Sequence, residues 1–280
     1  MRALLFAALL LAGTKARASW PDLSSGPLED DSFLIEEAYN QEAGVVQHIS
    51  LTQYDRRSED WVTTFTQEWP VPDERHQLSF TVPYTFGGKA GAPSGVGDVL
   101  LNYRYQLLHE TPDQPAVAPR LSLILPTGDY RDGLGTGSAG LQANLAASKQ
   151  LSDQLAVHLN LGGTVIPHAL APNDPPRSET LGTVTGGGSV VWGPVDAVDL
   201  MCELLASHED EIRRGGTGAL TRVTLSPGVR IGWNGPGGIQ WVGGIGLPIG
   251  LTHDADDLGV LLYVSIEHGI TAAAHAARWP

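Results

Sequence analysis

Nine histidines, a single cysteine and a surplus of carboxylates are the residues of this chain with chemistry to offer, and their spacing narrows that chemistry. No His-Glu-x-x-His and no Cys-x-x-Cys occurs, so no metal site has sequence support. Ser138 and Ser189 each lack the full pair of glycines, two residues before and two after, that a nucleophile elbow requires. Gly135, Gly137 and Gly140 form a Gly-x-Gly-x-x-Gly pattern, yet no helical pattern follows, and Asn160, twenty residues on, is not acidic. No catalytic set and no cofactor is therefore expected. His158 is a candidate base for a membrane-embedded hydrolase, weighed against the plainer reading of a hydrogen-bonded wall residue.

The elements that must position such residues show in the alternation of side chains. Leu78, Phe80, Val82, Tyr84 and Phe86 are separated by Ser79, Thr81 and Thr85, which is period two over a length that spans a bilayer. Val99, Leu101, Tyr103, Tyr105 and Leu107 repeat it against Asn102, Arg104 and Gln106. The same test along the chain predicts about twelve strands, beginning near Gly44, Asp60, His76, Asp98, Pro115, Ser138, Asp153, Thr180, Val195, Ala219, Gly238 and Asp257. Gly186 to Gly188 blur one strand, and Leu205 breaks parity in another. Trp61 and Trp69 share a parity eight residues apart, roughly 26 Å at about 3.3 Å per residue, near the spacing of two aromatic girdles.

Such alternation predicts an all-β fold: a single antiparallel transmembrane β-barrel over residues 43–269, its apolar parity toward lipid and its polar parity toward the lumen. The polar parity carries Arg104, Arg120, His158, Asp199, Glu203, Arg222, Arg230 and Glu267 as candidate lumen residues. Separated charges of both signs there would set a transverse field on a solute; the bland alternative is an ion network that fills the interior. Long polar connections are expected at Tyr54–Glu59, Gly87–Gly97, Thr127–Gly137, Pro167–Glu179 and His208–Gly218, after odd-numbered strands. Outer-membrane barrels have short periplasmic turns and long outer loops, which predicts a periplasmic N-terminus.

The start of the chain agrees with export. Arg2 precedes an apolar run from Ala3 to Gly13 and a small-x-small site at Ala16-Arg17-Ala18, the pattern of a signal peptide over residues 1–18. Its removal takes three of 17 basic residues, leaving 14 against 31 acidic ones and a net charge of −17, which excludes nucleic acid as a partner. With Cys202 alone, no intrachain disulfide can form. Residues 19–42 are expected on the periplasmic side, where Phe33, Leu34, Ile35, Ala38 and Tyr39 allow a short helix, an inward plug or a frayed leader. Residues 270–280 read as a tail, with the last strand ending near His268.

The segments Gly97-Asp98-Val99 through Tyr103-Arg104-Tyr105-Gln106-Leu107-Leu108 and Pro119-Arg120-Leu121 through Leu125-Pro126-Thr127-Gly128 carry a resemblance, joined by Glu36-Glu37-Ala38-Tyr39-Asn40-Gln41-Glu42. They are similar to the outer-membrane proteins grouped under the meta-pathway of phenol degradation. The resemblance covers about the first half of the mature chain. It implies a single-chain barrel in the bacterial outer membrane that passes small, hydrophobic or aromatic compounds, and it transfers no catalytic residue. The reading is a channel for a small-molecule solute, embedded in outer-membrane lipid and inserted by the barrel-assembly machinery. Its competitors are a non-conducting interaction barrel with functional outer loops, the hydrolase, and a soluble periplasmic sandwich.

Overall fold

The computed structural model describes residues 32–171, 177–213, 216–235 and 239–270, so the expected leader and the tail beyond Ile270 lie outside the described residues. The described chain is all β. Long strands are β1 (Val45–Asp55), β2 (Trp61–Pro70), β3 (His76–Phe86), β5 (Val99–Tyr105), β6 (Ala116–Leu125), β7 (Gly140–Ser152), β8 (Leu155–Ala171), β9 (Arg177–Val195), β10 (Val198–Arg213), β11 (Gly216–Asn234), β12 (Gln240–Gly246) and β14 (Gly259–Gly269). Two-residue pieces, β4 (Gly95–Val96) and β13 (Ile249–Gly250), pair with β3 and β11 at the rim.

Each long strand pairs antiparallel with its chain neighbours, and β1 closes the ring on β14 from Val45↔Gly269 to Asp55↔Gly259. A twelve-stranded closed barrel results, in which every wall strand has a partner on both sides and no edge is left to aggregate. The observed starts fall within three residues of those the alternation predicts.

Parity sorts the side chains as a bilayer requires. Leu159, Leu161 and Val184 stand 61%, 63% and 60% exposed on the outside, far more apolar surface than water tolerates in one band. Aromatic side chains border that band: Tyr54 against Trp61 at one end, and the stacked Trp233 and Trp241 at the other. The inner parity holds Gln77, Asn102, Ser122, Ser148 and Ser226, all buried.

Two predicted loops are mostly strand. Residues 167–171, 177–179, 208–213 and 216–218 continue the ladder, with β8 and β9 paired to Ala171↔Arg177 and β10 and β11 to Arg213↔Gly216. Backbone pairing does not need apolar side chains, so these hairpins run on past the apolar band. Pro167, which reads as a loop residue, sits at a register shift between Ile166 and Ala169, where a bulge removes the demand for its missing N–H; His168 there has φ 55°. True loops occur at 87–98 and 126–139, tied together by Asp98, whose carboxylate accepts the N–H groups of Gly128 and Thr136.

Candidate functional site

Residues 32–43 do not form a helix. They run as an extended, bent strap through the barrel interior, close to the end of the wall where β1 starts, and their backbone polar groups are answered by side chains of the wall. The Leu34 and Ile35 N–H groups donate to Glu203 Oε1 at 2.7 and 3.1 Å. Asn160 makes a two-way bond with Glu36, accepting its N–H at 2.8 Å and donating to its carbonyl at 2.8 Å. Ala38 N–H donates to Ser148 Oγ at 2.8 Å, Asn40 N–H to Gln106 Oε1 at 3.0 Å, and Gln41 N–H to Gln77 Oε1 at 2.7 Å. Arg104 donates to the carbonyls of Glu37 and Tyr39 and to Asn40 Oδ1. A buried backbone with no sheet partner must be satisfied in this way or cost several hydrogen bonds.

Charges follow the same plan. Arg120 holds Glu36 with two nitrogens, the closer at 2.6 Å, and also donates to Asn102 and Gln142 on neighbouring strands. Burial pushes the Glu36 carboxyl up, but the Arg120 guanidinium beside it, helped by Arg104, wins and holds it below the usual carboxylate range. Arg230, 1% exposed, pairs with Asp199 at 2.7 Å and reaches Glu37 at 3.7 Å. His158 Nδ1 lies 2.8 Å from Ser148 Oγ, and its Nε2 is 3.6 Å from Glu37 Oε1 with no hydrogen-bond partner. Serine, imidazole and carboxylate thus meet, but Ser148 Oγ is 1% exposed residue surface and already accepts the Ala38 N–H, leaving a substrate carbonyl no approach. The serine works as an anchor.

The interior is divided. Around Phe33 the lining is apolar: Val191, Met201, Val242, Leu261 and Tyr263, with the Phe33 and Tyr263 rings 5.3 Å apart. Glycines make the seat, since a Cβ on Gly228 would stand 2.7 Å from the Phe33 ring and one on Gly244 would run into it. Gly187 does the same for Ile35, at 2.6 Å from its Cδ1. The opposite side, from β3 to β8, is polar and holds Arg104, Arg120 and Asn160.

Of the residues singled out by sequence, Arg104, Arg120, His158, Asp199, Glu203 and Arg230 converge on the strap. Glu267, 3% exposed, lies 3.4 Å from Gln41 Nε2. Arg222 does not join them: it sits toward the other end of the barrel, 2.6 Å from Glu209, and donates to the Asp254 carbonyl in the loop after β13. The uncharged anchors Gln77, Gln106, Ser148 and Asn160 have only a polar residue on the inner parity as their sequence signal, and the counter-charges Glu36 and Glu37 only their place in the segment that carries the resemblance. Among the described residues no group of three His, Cys, Asp or Glu is arranged to hold a metal ion.

No family model matches the chain, and no curated protein does. Solved structures do. The COG4313 outer membrane channel from Pseudomonas putida F1 superposes with a TM-score of 0.57 at 15% identity, over 86% of this chain and 99% of that one. The NanC porin superposes with a TM-score of 0.53 at 8% identity, over 80% of this chain and all of that one. The fold is that of an outer-membrane channel barrel. At such identities the likeness carries the architecture alone.

Proposed function

We propose that the chain is an outer-membrane channel for small solutes whose N-terminal strap is its gate. The observation that carries this reading is a closed wall whose inner residues bind a piece of chain outside the sheet through side-chain hydrogen bonds instead of strand pairing. A core meant only to fill the barrel would need no such detachable insert. The N-terminus is periplasmic in this reading: turns 153–154 and 196–197 lie at the end where β1 begins, and the loops 87–98 and 126–139 at the other. Export by the signal peptide and insertion by the barrel-assembly machinery precede it.

The solute class follows from what the strap covers. Leaving its seat, Phe33 vacates an apolar hollow sized for an aromatic ring and walled by Tyr263, Leu261 and Val242, which supports passage of small aromatic or hydrophobic compounds, as the phenol-pathway resemblance implies. Planar-bilayer recording of the full chain tests the reading: brief openings are expected in the native protein and long ones in a variant lacking residues 32–42. A folded, inserted barrel in which neither conducts would overturn it in favour of a closed interaction barrel.

A further inference from the structure

Between the strap and the turns at the β1 end lies a cavity of about 820 Å³, within the range of small-molecule sites. Its lining carries the carboxylates Glu37, Glu74, Glu110, Asp153, Asp196 and Asp199 against one arginine, Arg230. The inner acids are partly neutralised, Asp199 and Glu37 by Arg230 and Glu110 by Lys149 at 2.9 Å. Glu74 and Asp153 are exposed to the space, each on a different turn. A second observation points into the same space. His158 is 2% exposed and lines the cavity, yet its Nε2 has no hydrogen-bond partner, although a buried ring nitrogen without one is costly. Ala156, Val191 and Val195 supply an apolar stretch of wall.

We infer that this cavity binds organic cations: solutes with an ammonium group for the carboxylates and an apolar body for the wall at Ala156, Val191 and Val195. The assignment rests on the channel reading and gives its solute a sign of charge. Carboxylates spread over separate turns do not converge on one metal ion, but they lower the potential across the whole space and favour a diffuse, partly apolar cation. Burial would raise the Glu110 carboxyl, and its bonds from Tyr39 and Lys149 overcome this and hold it below the usual range, so it contributes charge at neutral pH.

The test uses full-length protein in detergent and 2-phenylethylammonium as the probe, with 3-phenylpropionate as the anionic analogue of like size, followed by calorimetry. Phenylethylammonium is expected to bind at least tenfold tighter than phenylpropionate. The double variant Glu74→Gln, Asp153→Asn should weaken it about five- to twentyfold, while Asp132→Asn at the opposite end leaves it unchanged. Equal binding of the two probes, or undiminished binding to the double variant with its heat-modifiable gel mobility intact, overturns the inference. Binding that follows this pattern in a barrel that never conducts upholds the cavity and overturns the channel instead.

Discussion

Replacing Phe33 by alanine attacks the strap at its largest apolar side chain. The ring is 5% exposed, packed against Tyr263 and seated on glycines, and on that glycine side nothing can move into the space, since Gly228, Gly244 and Gly246 have no side chains. Truncation of a buried phenylalanine costs about 3–5 kcal/mol, the glycine side of the hollow resisting collapse and the side chains opposite relaxing in part. Because the wall is held by its own ladder, this loss falls on docking of the strap and not on folding of the barrel. At about 1.4 kcal/mol per factor of ten, strap opening should rise by roughly two to three powers of ten. Amide hydrogen exchange reads this directly: the N–H groups of Leu34, Ile35, Glu36 and Ala38, now bound to Glu203, Asn160 and Ser148, should lose protection by that factor. Amides of β1 and β14 should not change. Unaltered exchange in the strap, or an equal rise throughout the wall, would refute the idea that the strap docks as a separate unit.

Other perturbations act on different groups. Glu36 is held below its ordinary pKa, so the stability it gives the strap is present above about pH 4.5 and is lost as pH falls through the lowered value; Arg120→Met should shift that loss to higher pH, read by strap exchange from pH 3 to 7. Asp256 behaves oppositely. Burial and the neighbouring Asp55 carboxylate raise it to about 6, so docking of the loop 251–258 is strongest in acid and weakens between about pH 3.8 and about 6; Asp256→Asn should make proteolysis of that loop independent of pH. Cys202 is exposed on the outer parity of β10, four residues into the strand, so a lipid-soluble maleimide should label it in membranes while a charged one does not; the reverse result would move that surface out of the bilayer.

How much of this was legible depended on the range of the interaction that decides each feature. Strand positions were, because a bilayer imposes period two locally and residue by residue, and His76 begins a strand in the sequence pattern and in the structure alike. The hairpin tips were not: His208–Glu211 and Ser178–Glu179 look like loop because they leave the apolar band, yet they keep pairing across the ladder. The sequence leaves the strap open between helix, plug and leader, since its partners lie far along the chain; Leu34 bonds a carboxylate 169 residues away. Features that blurred the pattern have their cause there. Gly187 interrupts β9 where Ile35 needs room, and Gly244 interrupts β12 where Phe33 does. Leu205 breaks parity because it falls on the inner parity of β10 with Met201, on the apolar side of the interior.

The divided interior explains why a strap of this composition fits and, in the proposed channel, what its release would cost. On the polar side its acids supply the counter-charges, Glu36 for Arg120 and Glu37 for Arg230, while on the apolar side Phe33 covers surface that water would otherwise wet. A buried ion pair gains little net energy once desolvation is counted, because its charges regain hydration when it opens. The apolar contact therefore contributes most of the docking energy, and the ion pairs fix where the strap lies. With the strap withdrawn, Arg104 and Arg120 on β5 and β6 face the lumen without Glu36, across from Glu203 on β10 and with Glu68 and Glu267 on β2 and β14. The same movement that clears the lumen thus creates a transverse field within it, so that in the proposed channel the gate and the charge selectivity rest on one set of contacts.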